Sequence, residues 1–396
     1  MTRMPDEPTP GTRPEVPLGT IAREWGRIGC VGFGGPPTHI AMLRTLTVQR
    51  EAWLDETEFE DAIAATNLLP GPASTQLAIF CAWRLRGLAG ALVGGACFIC
   101  PGLALIIVLA AVFLAGHPPT WIDGAALGAG AAVAAVAVNA ALGLVPASWR
   151  RTGDITARRV RWVLYVVAGG VSAATVGTYL VVVLLGCGLL EVAISDALRP
   201  PKGPAGFAFL APTAVVGASG LGALVWVALK VGALSFGGGF VIIPLMQADA
   251  VHHYHWMTNA QFLNAVALGQ ITPGPVVQTV AVVGYAAAGV GGALLAALVA
   301  FAPSLAFILG GARHFGALRT NRVAQSFLSG AGPAAIGAIA GAAIPLALAI
   351  AHVWQVIVLA GAFVVIVGLR RSVVLTLVAA GAIGAVGAAL GLPVGG

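Results

Sequence analysis

The segment RIGCVGFGG at residues 27–35 recurs as KVGALSFGG at residues 230–238. At the same offset of 203 residues (from 27 to 230), the Pro-Gly-Pro of residues 70–72 meets a second Pro-Gly-Pro at residues 273–275. Alanine and glycine could match by composition in this chain, but phenylalanine and proline rarely would. The repeat therefore predicts a duplicated unit, and internal repeats of this kind fix the architecture of a chain.

The composition of the chain indicates the environment of the duplicated unit. Of 396 residues, 58% are hydrophobic, 54 are glycine, and only 21 are Lys or Arg and 15 Asp or Glu. Soluble domains carry about 25% charged residues. The composition excludes a soluble enzyme, a nucleic-acid binder and a disordered protein. The net charge of +6 sits in short basic clusters between apolar runs, as in the cytoplasmic loops of membrane proteins.

We predict an all-α integral membrane protein with about 10–12 transmembrane or re-entrant helices in two inverted-topology repeats, since a spanning helix needs about 20 apolar residues. A weaker, glycine-broken candidate covers 18–43. The stronger candidates are 62–82, 88–114, 122–146, 162–180, 181–195, 221–247, 262–288, 291–310, 327–350, 353–369 and 373–392. The glycines within these spans are expected to serve helix packing, because small residues let helices approach closely in lipid.

The inversion is predicted from the loop charges. Arg84 and Arg86 lie in one loop, whereas the matching loop near Ala288 is uncharged. The basic loop at 150–161 likewise matches an uncharged one near His352. Basic loops stay cytoplasmic, so matching loops face opposite sides. The predicted divisions are a disordered tail at 1–17, a first repeat at 18–195, a linker at 196–220 and a second repeat at 221–396.

The paired breaks predict the site. Glycine and proline interrupt a helix, and broken helices at membrane depth are tolerated where they line a cavity. Matching interrupted segments in the two halves point to a transporter's substrate site, and half-helix N-termini suit an anion. The open alternative is a set of kinks that only shape the bundle. The predicted binding residues are Arg27, Phe33, Gly34, Gly35, Pro36, Asn67, Pro70, Gly71, Pro72, Thr75, Lys230, Ser235, Phe236, Gly237, Gly238, Gly239, Gln270, Thr272, Pro273, Gly274, Pro275 and Gln278.

Charged residues within this set carry separate hypotheses. Arg27 and Lys230 are equivalent in the repeat, and an intramembrane cation is a functional candidate by default, with snorkelling to the interface as the alternative. Two cations near a pseudo-two-fold axis would suit a divalent oxyanion. Asp61 and His39 are candidates for proton coupling, although a structural hydrogen bond is the alternative role for His39. No metal site or cofactor is predicted.

The repeated Phe-Gly-Gly and Pro-Gly-Pro motifs, with Trp53 and Trp256 between them, resemble the chromate ion transporter (CHR) family in its long, two-domain form. The resemblance extends from about Leu18 to Leu392. It implies a multi-pass carrier of the bacterial inner membrane that exports chromate, driven by the proton motive force or the membrane potential. Its implied partners are chromate or sulfate and the lipid bilayer, with a homodimer left open. A passive anion channel and a membrane enzyme using Ser219 are the rival classes.

Overall fold

A computed structural model describes residues 16–67, 69, 71–115, 119–175, 180–197, 220–235, 239–311 and 321–394, with residues 196 and 197 as backbone only. The predicted tail, apart from its last two residues, and most of the predicted linker lie outside these ranges. Ser219 lies outside them too. Throughout the described ranges the chain is helical, without strands, which confirms the all-α prediction.

The helices, numbered in chain order, fall into two series. The first comprises α1 (Leu18–Val31), α2 (Pro36–Arg44), α3 (Glu56–Thr66), α4 (Ala73–Phe113), α5 (Thr120–Ala131), α6 (Val133–Arg150), α7 (Thr156–Thr175) and α8 (Leu180–Ala197). The second comprises α9 (Leu221–Leu234), α10 (Ile242–Gln247), α11 (Asn259–Ile271), α12 (Thr279–Gly311), α13 (Arg322–Leu348), α14 (Val353–Phe363) and α15 (Val373–Ala389). Short π-helical segments follow α2, α10 and α14, at Thr45–Arg50, Ala248–His253 and Val364–Gly368.

Helix α4 is folded back on itself. Its 41 residues would extend about 60 Å as a straight helix, twice the hydrocarbon thickness of a bilayer. The helical dihedrals fail at Arg86 and at Gly87, where φ is +59°. Beyond that turn a Cβ placed on Gly95 would lie 3.2 Å from Cγ1 of Ile79. The two legs therefore pack side by side, and the turn lies between the predicted spans at 62–82 and 88–114. The span at 62–82 is not one helix, because it contains the end of α3 and the Pro-Gly-Pro break before α4.

Helix α12 repeats this hairpin. Its dihedrals fail at Ala288 and Gly289, the positions equivalent to Arg86 and Gly87. A Cβ on Gly284 would crowd Gly292 across the turn, as a Cβ on Gly90 would crowd Ala82. In both halves the hairpin also receives the first helix of its half. A Cβ on Gly29 of α1 would lie 2.7 Å from the Phe98 carbonyl oxygen of α4, and Gly232 of α9 meets Ala300 of α12 in the same way.

Small residues also hold the remaining helices together. Gly124 and Gly128 of α5 lie against the backbone of α15, while Gly337 and Gly341 of α13 lie against that of α7. A side chain at any of these positions would meet backbone atoms that cannot move aside. The glycine richness therefore permits close helix crossings in lipid, as predicted.

Within the described ranges, four helical stretches are long and apolar enough to cross a membrane, by length and composition: Ala73–Phe113, Thr120–Arg150, Val276–Gly311 and Arg322–Leu348. Shorter apolar helices include Leu180–Ser195, Leu221–Leu234, Val353–Gly368 and Val373–Ala389. Large apolar side chains such as Leu298, Leu348 and Ile357 are more than two-thirds exposed, as expected for a surface that faces lipid. The chain is a multi-pass membrane protein.

Two matching segments differ in how they are covered. We call residues 36–50 the first arm and residues 242–253 the second arm. Leu43 and Leu46 of the first arm pack in a cluster drawn mainly from α1, α3 and α4. Leu245 of the second arm packs instead with Tyr165 of α7 and Ile336 of α13. Other helices therefore enclose the second arm, and less of its surface is exposed than in the first arm.

Candidate functional site

The first break lies between α1 and α2. Helix α1 ends where Gly32 donates its N–H to the carbonyl oxygen of Ile28 at 2.7 Å. Gly34 and Gly35 then take φ values of +102° and +75°, which side chains rarely adopt, and Pro36 begins α2. Phe33, between the glycines, is 41% exposed. This turn directs the backbone away from the axis of α1.

The side chain of His39, in the first turn of α2, contacts this break. Its side chain is fully buried, and its Nε2 lies 2.8 Å from the Gly32 carbonyl oxygen. Its Nδ1 lies 3.3 Å from Oγ of Ser74, and the ring packs edge-on against Phe98. These contacts hold the His39 side chain against the break. A structural role and proton coupling both stay predictions.

The two Pro-Gly-Pro segments form the second pair of helix interruptions. Gly71 has φ +123° and Gly274 has φ +102°, and each precedes a proline that ends the non-helical turn. Pro72 leads into α4, while Pro275 leads into a short 3-10 turn, Val276–Gln278, before α12. Pro70 lies outside the described residues, as do Phe236, Gly237 and Gly238 of the second Phe-Gly-Gly.

The described breaks of the two halves meet. The N–H of Gly274 donates to the carbonyl oxygen of Gly32 at 3.0 Å, which joins the second Pro-Gly-Pro to the end of α1. Gln278 donates its Nε2 to the Ile99 carbonyl oxygen of α4 at 2.8 Å. In the reverse direction, a Cβ on Gly71 would lie 2.9 Å from Oγ of Ser304 on α12. Each Pro-Gly-Pro thus packs against the hairpin helix of the other half.

Buried polar atoms collect around this junction. Among the described residues, the buried polar side-chain atoms without a hydrogen-bond partner include Thr75 Oγ1, Ser235 Oγ, Gln270 Nε2, Gln278 Oε1 and Ser304 Oγ, which belong to the breaks or to the helices against them. Leaving a buried polar group unsatisfied costs about 1–3 kcal/mol. Three hydroxyls and an amide N–H can donate to an anion, and the first N–H groups of α4 add further donors. The junction therefore offers several hydrogen-bond donors that the described residues leave unused.

Other predicted residues play local roles. Thr272 donates its hydroxyl to the Leu268 carbonyl oxygen and so closes the last turn of α11. Gly239, with φ +92°, lies beside Val276 and Val277 of the second Pro-Gly-Pro turn. Asn67 is exposed at the end of α3, and Asp61 lies half-buried on the same helix. Within the described ranges, no group of three His, Cys, Asp or Glu side chains could hold a metal ion.

Lys230 is not a free cation. Its Nζ donates to Oδ2 of Asp249 at 2.5 Å, and the two side chains are 15% and 8% exposed. The ammonium also lies 5.5 Å from the ring centroid of Trp226. The pair ties α9 to the second arm. Sequence reasoning missed Asp249 because its equivalent in the first half is Leu46, so comparison of the repeats gave no signal for it.

Arg27 lies in a different setting. It lines a cavity of about 560 Å³ between α1 and the first arm, together with Glu24, Val31, Thr38 and Arg50. Glu24 and Arg50 form an ion pair at 2.8 Å across the mouth of this cavity. Among the described residues, no carboxylate lies within 4 Å of the Arg27 guanidinium. We call this cavity the first-half groove. Neither Glu24 nor Arg50 was predicted, because neither recurs in the second half, where Val227 and His253 stand at the equivalent positions.

Comparison with known proteins supports the same interpretation. The family described as "Chromate transporter" matches residues 19–192 and 222–385, which is most of the chain in two segments. The chain belongs to the chromate transporter family. This transporter is 32% identical to the chromate transport protein of Cupriavidus metallidurans over 85% of its own length and 84% of the relative's. It is 30% identical to the chromate transport protein of Pseudomonas aeruginosa, over 86% and 84% of the two chains.

Shorter relatives match part of the transporter. The uncharacterized transporter YwrB of Bacillus subtilis is 38% identical over 23% of this chain and 47% of its own. No solved structure matches. The family confirms the predicted resemblance and the prediction of a transporter rather than an enzyme. The two matched segments agree with the predicted duplication, whose inverted orientation stays a prediction.

Proposed function

We propose that this transporter moves chromate across the bacterial inner membrane by a secondary mechanism, in the direction of export. Two relatives that cover most of the chain are named chromate transport proteins. Chromate is a divalent tetrahedral oxyanion, which needs several hydrogen-bond donors and some positive charge to leave water. The proton motive force or the membrane potential would supply the energy.

The observation that carries the proposal is the meeting of the breaks. The Gly274 N–H to Gly32 carbonyl bond brings the Pro-Gly-Pro of one half to the glycine break of the other. Unpartnered hydroxyls of Thr75, Ser235 and Ser304 lie in the elements that form this junction. Substrate sites of duplicated transporters typically lie at the repeat interface, between half-helix ends. We assign the substrate to this junction.

The proposal includes the inverted orientation of the two halves. Rocking of one half against the other would then open the junction alternately to each side of the membrane. Arg27 would attract the anion through the first-half groove. Lys230 would contribute less charge than the sequence implies, because Asp249 already offsets it.

Sulfate is the second candidate substrate. It has the same charge and shape as chromate, so hydroxyl and amide donors at the junction would accept both. A passive anion channel is the alternative mechanism. It would give flux that follows the gradient without saturation or coupling.

Transport by everted inner-membrane vesicles tests the proposal. Vesicles that contain the transporter should accumulate chromate when energised, with saturation, and sulfate should compete. Dissipating the pH gradient with nigericin and the potential with valinomycin, separately, identifies the driving force. Vesicles from cells with the empty vector are the control.

Each alternative has its own outcome. Uptake of sulfate without uptake of chromate would show that sulfate, and not chromate, is the substrate. Linear, uncoupled flux of either anion would establish a channel. Absence of any movement by protein that is correctly inserted would refute the transport proposal.

A further inference from the structure

The first-half groove carries two arginines and one glutamate among its lining residues. The groove follows α1 from Glu24 to Val31, and the first arm from Arg50 back to Pro37. Its inner end therefore borders the Gly32–Gly35 break, whereas its outer end lies at the Glu24–Arg50 pair. Its lining ends at Val31 and Pro37, on either side of the break whose Gly32 carbonyl oxygen accepts from Gly274 at the junction.

The charges at the mouth are arranged for exchange. Arg50 is shared, with its Nη2 2.8 Å from Glu24 and its Nε 2.8 Å from Glu51. Glu24 is shared too, because its other oxygen lies 3.3 Å from Arg23. If Arg50 left Glu24, the carboxylate would keep Arg23 and the guanidinium would keep Glu51. Neither group would be stranded without a partner, so breaking the central pair costs little.

Arg27 supplies the second contact. It lies one helical turn after Glu24 on the face of α1 that lines the groove, and its charge acts on the Glu24 carboxylate. In the part of the chain that the structure describes, no carboxylate lies within 4 Å of its guanidinium. Thr38 of the first arm lines the same wall and carries a hydroxyl. Guanidinium groups bind tetrahedral oxyanions through paired N–H donors, which makes arginine well suited to this task.

We infer that the first-half groove is an outer binding site for a divalent tetrahedral oxyanion, with Arg27 and Arg50 as its ligands and Glu24 as the anion that the substrate displaces from Arg50. A positive groove without a counter-ion is costly near lipid. Glu24 keeps the empty groove close to neutral, and the arriving anion takes its place on Arg50. This inference rests on the proposed function, since it names a loading site for the same substrate.

The test compares substitutions that alter one charge each. Arg27→Gln and Arg50→Gln should each raise the KM for chromate by at least about tenfold, with kcat changed less, because a charge-assisted contact is lost. Glu24→Gln should lower the KM by a few-fold, because the internal competitor is gone. Arg158→Gln is the matched control, with the same charge change on an exposed side chain of α7 that does not line the groove. Its KM should stay within about twofold of the native value.

A binding measurement separates this inference from the transport proposal. Sulfate should raise the unfolding temperature of the detergent-purified native transporter, and chloride at equal ionic strength should not. The Arg27→Gln/Arg50→Gln variant, if it unfolds cooperatively near the native temperature, should show a smaller sulfate shift than the native protein, because only the junction is left to bind the anion. A shift of the native size would overturn the outer site even if transport is confirmed.

The exchange mechanism has its own decisive outcome. If Glu24→Gln raises the KM as Arg50→Gln does, the pair acts as a structural unit and the displacement of Glu24 is refuted. If native protein shows neither chromate nor sulfate transport yet binds sulfate through Arg27 and Arg50, the outer site stands and the transport proposal fails.

Discussion

The two arms of the molecule differ in the sign and the setting of their charges. In the first half the acid stands on the first helix and the base on the arm, as Glu24 and Arg50. In the second half Lys230 stands on the first helix and Asp249 on the arm. Arg50 is 44% exposed at the mouth of a groove, whereas Asp249 is 8% exposed. Each half thus joins its first helix to its arm by an ion pair, with the positions of the acid and the base exchanged. We call these pairs the first and the second tether; the first lies beside a cavity and the second is buried.

This difference suggests separate tasks for equivalent elements. A pair at a groove mouth can exchange partners with an incoming anion, because water and neighbouring charges support both states. A buried pair cannot, because separating it leaves a charge in a medium that solvates it poorly. We therefore expect the second tether to act as a fixed brace of α9 and the first as the mobile one.

The largest expected effect concerns the orientation of the halves. Leu88 and Val290 are equivalent residues beside the hairpin turns, and they are 57% and 53% exposed. In a variant whose five native cysteines are replaced, Leu88→Cys should react with a membrane-impermeant thiol reagent from the cytoplasmic side only. Val290→Cys should react from the periplasmic side only. Labelling of both from one side would eliminate the inverted repeat.

Next in size is the loss of a buried charge. Asp249→Asn should lower the free energy of unfolding by about 3–5 kcal/mol, because Lys230 is left buried without its anion. Glu24→Gln should cost about 1 kcal/mol or less, since Arg50 is partly exposed. Thermal unfolding in detergent measures both.

A double substitution sharpens this prediction. Lys230→Met/Asp249→Leu removes both charges and places leucine where the first half has Leu46. It should recover most of the stability that Asp249→Asn loses, because an apolar pair of similar volume replaces a buried ion pair at little cost. A double variant as unstable as the single one would show that the charges do more than neutralise each other.

The hairpin turns should respond alike in both halves. Gly87→Ala and Gly289→Ala should each cost about 1–3 kcal/mol, because φ values of +59° and +62° are strained for alanine although no atom lies in its way. Gly143→Ala is the control, since this glycine lies within helix α6 with open space around it. That change should be neutral or slightly stabilising. Unequal costs at the two turns would contradict the structural equivalence of the hairpins.

The smallest effect is expected at His39. His39→Leu should cost about 1 kcal/mol, because the Gly32 carbonyl oxygen loses one hydrogen bond but keeps the one from Gly274. Ile242→Leu, at the equivalent position in the second half, is the control. Unchanged pH dependence of transport in His39→Leu would assign His39 to structure, and a lost dependence would assign it to proton coupling.

The sequence predicts the helices and their interruptions well because both follow from local chemistry. Apolar length marks the spans, and glycine and proline mark the breaks at Gly34, Gly71 and Gly274, all of which take positive φ. The meeting of breaks from the two halves was also inferred, since duplicated transporters place matched breaks at one interface.

The partners of the charges could not be inferred in this way. Asp249 lies 19 residues from Lys230, in an arm whose path depends on the preceding break. Which side chains face each other after such a break depends on tertiary packing. The hydroxyl of Ser304 shows the same difficulty, because only the crossing of α12 over the first half brings it to Gly71.

The bond between Gly274 and Gly32 uses backbone atoms alone. A contact without side chains is insensitive to most substitutions on either side of it, as long as the local turns survive. The two halves could therefore drift apart in sequence, to His39 and Ile242 or to Leu46 and Asp249, without losing their junction. Substitutions after duplication would then accumulate among the charged residues around the junction, and each half could acquire its own function there.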